Sequence, residues 1–225
     1  GLHRENCIGV IAVTNDNHAN LTIAITTKLL RPGVPVYARS QDGRVSDNMR
    51  SFGTDAVVDP YVIFAQRLDL ALNSPTKYLV QDWLISVPGT KLREPLTPPS
   101  GHWVVCGGGR FGERVIQTLK KNDQEYTLVD VREDRVEDCE HGVVGRGTEA
   151  PTLQAAGIEE AVGIIAGTGD DIDNLSIIIT AKESTRNKKL FVIGRQEQRQ
   201  NDELFEASGA HLVARPNWIV ARSIL

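Results

Sequence analysis

The chain has 225 residues, 40% of them hydrophobic and 24% charged, with a formal net charge of −4, the balance of an ordinary globular protein. The acidic surplus leaves no cationic excess to displace counterions from phosphates, which argues against a nucleic-acid partner. No apolar run approaches the roughly 20 residues of a membrane-spanning helix, and no signal peptide opens the sequence, so a soluble chain is expected.

In chain order, "GVIAVTNDNHANL" (9–21) is an apolar strand, a polar turn with Thr14 and Asp16, then an apolar helix opened by Asn20-Leu21. The same passage returns as "GIIAGTGDDIDNL" (163–175). Residues 7–28 match residues 161–182 without a gap, with identity at Gly9, Ile11, Ala12, Thr14, Asp16, Asn20, Leu21, Ile23, Ile25, Thr26 and Lys28. Two residues are then inserted, and Val36, Arg39, Gly53, Val57 and Pro60 match Val192, Arg195, Gly209, Val213 and Pro216. Each copy reads strand, helix, strand, helix, strand. Short apolar runs alternating with helices indicate βαβ units and a parallel sheet buried on both faces.

Between the copies, "NSPTKYLVQDWLISVPGTKLREPLTPPSG" is rich in Pro, Ser and Thr. Pro95, Pro98 and Pro99 predict a non-helical linker, with "YLVQDWLISV" (78–87) docking as a helix or strand. The second copy also has a preface that the first lacks. "HWVVC" is a buried strand, "GGGRFGERVIQTLKK" a glycine loop running into a helix, and "YTLVD" a strand. A helix is expected over 132–142 and a turn over 143–161. The fold class expected is α/β, a doubly wound Rossmann-like parallel sheet, with one complete unit over 101–225, a linker over 73–100 and a C-terminal half unit over 1–72.

Gly107, Gly109 and Gly112 follow a strand directly and open a helix, and Asp130 ends the next strand. In this context the first glycine allows the tight turn, the second lets a pyrophosphate approach, and the third lets the helix pack on the sheet. Asp130 can accept hydrogen bonds from ribose hydroxyls, and its charge disfavours a 2′-phosphate. Arg110, inside the loop, either reaches a terminal phosphate or points into water. Asp170, Asp171 and Asp173 either touch a ribose or a divalent cation, or simply favour the start of a helix.

These features, with "GRGTEAPTLQAAGIEEA" (145–161), "TGDDIDNL" (168–175) and the strand-end Arg195, resemble the N-lobe of the RCK/KTN family, which regulates potassium channels and transporters. The resemblance covers all of 101–225. Residues 1–72 resemble the back half of a second lobe, with "GLHRENC" similar to the tail of the turn that ends in "GIEEA" (157–161). The segments 60–72 and 216–225 resemble the family's crossover helix. The resemblance implies a regulatory ligand, NAD(H) or an adenine nucleotide (ADP or ATP). It further implies contacts from Gly107, Gly109, Arg110, Phe111, Gly112, Asp130, Val131, Arg132, Gly147, Thr148, Thr168, Asp170 and Arg195. It implies as partners a pore-forming membrane domain of the same polypeptide and other RCK lobes in a homo-oligomer, at the cytoplasmic face of the membrane. One departure bears on the ligand: the family usually has Gly-Asp where this chain has Gly147-Thr148.

Rossmann folds also carry dehydrogenases, so an NAD-dependent oxidoreductase or a stand-alone nucleotide-binding protein is the alternative. Hydride transfer needs a substrate domain and a positioned acid or base. His3, His18, His102, His141 and His211 are scattered, Cys7, Cys106 and Cys139 form no CxxC pair, and neither a GxSxG elbow nor a P-loop lysine is present. No catalytic residue and no metal site is therefore expected. A strand at 8–13 lacking a neighbour would expose an apolar edge, so the natural protein is expected to continue upstream of Gly1.

Overall fold

A computed structural model describes residues 7–84 and 94–224. The expectations that fall on residues 1–6, on 85–93 and on Leu225 lie outside the described residues. Packing divides the chain into two compact units, one running up to residue 63 and resuming at 216, the other spanning 64–215. This grouping differs from the expected boundaries at 72 and 101, because residues 64–84 pack within the second unit.

In the first unit, β1 (Val10–Ala12), α1 (Asn17–Leu30), β2 (Val36–Arg39), α2 (Gly43–Ser51) and β3 (Ala56–Val58) build a parallel sheet in the order β1-β2-β3. Val10 pairs with Val36 and Tyr37 with Ala56. Both helices begin on an aspartate that accepts hydrogen bonds from first-turn amides: Asp16 from His18 and Ala19, Asp42 from Arg44 and Val45. Such a cap satisfies donors that have no intrahelical partner. Strand β1 forms one edge of this sheet, and its Ile11 is 59% exposed.

After α3 (Pro60–Asn73) and α4 (Pro75–Leu84), the second unit continues with β4 (His102–Cys106), α5 (Arg110–Lys121), β5 (Glu125–Asp130), α6 (Glu133–Val136) and β6 (Gly142–Val144). Then come α7 (Ala150–Ala155), β7 (Gly163–Ala166), α8 (Asp171–Ser184), β8 (Phe191–Arg195), α9 (Asp202–Ala207) and β9 (Leu212–Ala214), with α10 (Pro216–Ile224) in the first unit. The sheet order is β6-β5-β4-β7-β8-β9, every pairing parallel. This is the doubly wound dinucleotide order, and its direction reverses between β4 and β7, where a crevice opens at the strand ends.

Strand β4 buries Trp103, Val104, Val105 and Cys106 almost completely, and α8 packs Ile177, Ile178 and Ala181 on the sheet. The helix expected over 132–142 is shorter. It stops at Val136, and residues 142–144 form the edge strand β6 against β5. A side chain at Gly142 would lie 2.3 Å from Val136 Cγ1, so a glycine there lets the edge strand close under the short helix. The patch of the linker that was expected to dock is helical at 75–84. Its preceding helix α3 grips α5 at both ends. Phe64 packs on Phe111 with ring centroids 5.3 Å apart, and the Asp69 carboxylate accepts from Lys121 Nζ and Asn122 Nδ2, each at 2.8 Å.

Candidate functional site

The repeated passage has a structural answer. Asn174 is fully buried at the start of α8; its Oδ1 accepts from Thr168 N (2.9 Å) and Thr168 Oγ1 (2.8 Å). Its Nδ2 donates to Thr168 O (3.2 Å) and Arg195 O (2.8 Å). One side chain thus ties the end of β7 to the end of β8. Asn20 makes the same four bonds to Thr14 and Arg39 in the first unit. The echo of Thr, Asp and Asn is a strand-to-helix clasp, and a ligand is not needed to explain it.

In the second unit a cleft lies above that clasp. It encloses about 400 Å3 between the ends of β4, β5, β7 and β8. The glycine turn forms one wall. Gly107 has a φ of +102°, and a Cβ on Gly112 would lie 1.9 Å from Gly107 O, so no side chain fits between the turn and the first helical residues. Gly109 occupies the N-cap of α5 and offers no side-chain acceptor to the first-turn amides. Those N–H groups and the positive end of the helix dipole meet at this point, the usual setting for an anion.

Asp130 lies opposite, at the end of β5, and is 6% exposed. Its Oδ2 accepts from Gly108 N at 2.6 Å and from Arg135 Nη1 at 3.1 Å, and its Oδ1 from Arg132 N at 2.9 Å. Burial alone would raise the pKa of this carboxyl. The amides of Arg132 and Gly108 and the Arg135 guanidinium outweigh it and hold the pKa below the ordinary carboxylate value. The carboxylate is therefore ionised and already clamped to the glycine turn.

Of the positions offered by the sequence as ligand contacts, Gly107, Gly109, Asp130, Val131, Gly147, Thr148, Thr168, Asp173 and Arg195 line the cleft together. The other six do not line it. Phe111 is 1% exposed and lies beneath the turn, with the Arg195 guanidinium 5.8 Å from its ring, while Gly112 is the tight packing contact. Arg110 is exposed on α5, and Arg132 points outward to pair with Asp134. Asp170 caps α8, accepting from Ile172 N at 2.8 Å and Asp173 N at 3.0 Å. Its neighbour Asp171, 4% exposed, holds the turn after β8 by accepting from Glu197 N, Gln198 N and Asn201 Nδ2. That turn carries Glu197, which pairs with Arg195.

Sequence reasoning missed Arg135 and Arg146 as lining residues. Sequence spacing carries no signal for either: Arg135 reaches Asp130 from α6, and Arg146 is placed by the register of β6 on β5. Cys106 forms part of the cleft floor; complete burial pushes its thiol up to about 12, leaving it a neutral packing group. Among the described residues no group of three or more His, Cys, Asp or Glu side chains is placed to hold a metal ion, and no helix is long and apolar enough to cross a membrane.

Comparison with known proteins places the chain. The TrkA-N domain model matches residues 2–60 and again 103–216. An uncharacterized protein of Methanothermus fervidus is 33% identical over 144 residues, 61% of this chain and 22% of that protein. Potassium channel protein 1 of Methanocaldococcus jannaschii is 25% identical over 130 residues, 55% of this chain and 38% of that one. The chain thus spans well under half of either relative. Among solved structures, the GsuK channel bound to NAD superposes with a TM-score of 0.76 at 18% identity, covering 96% of this chain and 50% of that one. GsuK bound to ADP superposes at 0.73 with 21% identity and the same coverage. At these identities the likeness is one of fold.

Proposed function

Because this chain belongs to the TrkA-N domain family, we propose that it is a ligand-sensing regulatory piece of a potassium channel or transporter. In this reading the cleft of the second unit binds an adenine nucleotide, NAD(H), ADP or ATP. The diphosphate rests on the turn Gly107–Gly109 and the open start of α5, and a ribose approaches Asp130. Occupancy is then passed through lobe interfaces to a pore-forming domain at the cytoplasmic face of a membrane, with other lobes of the same kind assembled around it. The first unit is the C-terminal half of a second lobe.

The observation that carries this reading is the cleft wall: a glycine turn in which Gly107 has a positive φ and a Cβ on Gly112 would strike Gly107 O, ending in a helix whose first amides have no side-chain cap. The names of the relatives and the nucleotides in the GsuK structures support it. Ligand-dependent regulation requires only that the ligand prefer one of two arrangements. Of the lining groups, Cys106 is a neutral buried thiol and the Asp130 carboxylate is clamped, so neither is a poised nucleophile, which favours binding over turnover.

Calorimetry with NAD, ADP and ATP beside a dehydrogenase screen tests it. Saturable binding without turnover is expected; NADH formation that depends on an added alcohol or hydroxy acid would replace the sensor with an oxidoreductase.

A further inference from the structure

We propose that the ribose end of the cleft admits a 2′-phosphate, so that a 2′-phosphorylated adenine dinucleotide is a ligand of this chain. This rests on the nucleotide reading above and reverses the sequence expectation that Asp130 repels such a group. Two guanidinium groups account for the reversal.

Arg135 comes back over the cleft from α6. Its Nη1 lies 3.1 Å from Asp130 Oδ2 and 3.8 Å from where a Cβ on Gly109 would be, so it sits between the acid and the glycine turn. Its side chain is 36% exposed, against 4% for Asp130. The cation is at the mouth and the acid is behind it. Asp130 also receives the Gly108 and Arg132 amides, so an arriving anion meets a carboxylate whose charge is already answered.

Arg146 comes from the other side. Val144 is the register partner of Asp130, and Gly145 N donates to Asp130 O at 3.0 Å, which sets the next residue beside the acid. Arg146 lines the same cleft, is exposed, and makes no ion pair among the described residues. Asp134, a carboxylate on α6, is engaged by Arg132. A ribose hydroxyl has one proton to donate and can accept from a single donor, whereas two guanidinium groups offer several donors and positive charge. A phosphate, with up to two negative charges and three acceptor oxygens, matches them by charge and by planar hydrogen-bonding geometry.

Calorimetry of NADP+ against NAD+ on wild type, Arg146→Ala and Arg146→Lys tests the assignment. Arg146 is exposed, and its removal leaves the core intact. Wild type is expected to bind NADP+ within about tenfold of NAD+ or more tightly, with Arg146→Ala costing NADP+ about fivefold or more while NAD+ changes less than about threefold. Arg146→Lys is expected to restore part of the loss. Wild type binding NAD+ more than about tenfold tighter than NADP+ overturns this inference and leaves the nucleotide reading standing. An Arg146→Ala loss shared equally by both ligands also overturns it. If neither ligand nor any adenine nucleotide binds, the underlying reading fails as well.

Discussion

Replacing Asn174 with alanine removes four hydrogen bonds from a fully buried side chain. A net hydrogen bond is worth about 1 kcal/mol, and a buried group left without a partner costs about 1–3 kcal/mol. Thr168 is half-buried and its hydroxyl proton can turn to the Asp170 carbonyl, so water and that bond recover part of the loss. The Arg195 carbonyl does less well, because it lies at the sheet end under the clasp. The expected destabilisation of Asn174→Ala is therefore about 2–4 kcal/mol, read as a shift of the urea midpoint at unchanged m. Thr168 and Arg195 both line the cleft, so nucleotide affinity should fall as well. Asn20→Ala removes the same four bonds in the first unit; it should destabilise by a similar amount and leave affinity alone. A loss below about 1 kcal/mol in both variants would refute the clasp as the reason for the repeat.

Four further outcomes follow from the same geometry. Gly112→Ala forces a methyl to within 1.9 Å of a backbone oxygen, so it should cost about 2 kcal/mol or more and abolish nucleotide binding. Gly33→Ala, where nothing lies within 4 Å of the added carbon, should shift thermal unfolding little. Asp130→Ala should weaken a nucleotide with free ribose hydroxyls by about 1–3 kcal/mol in calorimetry, and unchanged affinity would remove the ribose assignment. The lowered pKa of Asp130 makes its contribution to stability complete above the unfolded value of about 3.9 and lost as pH falls through the folded value. Acid titration of unfolding should therefore show wild type losing stability below about pH 4 more steeply than Asp130→Asn, and parallel curves would contradict it.

The alternation of apolar runs and helices was enough to read the doubly wound sheet, because strands buried on both faces leave unbroken runs such as "HWVVC" and "GIIA". The strand β6 escaped because only Val143 and Val144 are apolar in it, set between Gly142 and Gly145. The glycine turn and Asp130 were legible for a related reason: sterics and the end of a strand fix their places. Side chains that reach the cleft from a distance were not. Arg135 is brought to Asp130 by the length of α6, and Arg146 by the register of β6 on β5. Asp170 had the opposite fate, since a carboxylate at a helix start that looks like a ligand contact is satisfied by its own first-turn amides.

The most direct test is a crystal of this chain grown with NAD or ADP. Diphosphate density is expected against the amides of Gly107–Gly109 at the start of α5, with the ribose within hydrogen-bonding distance of Asp130. Nucleotide density elsewhere on the molecule, with that cleft left to solvent, would contradict it.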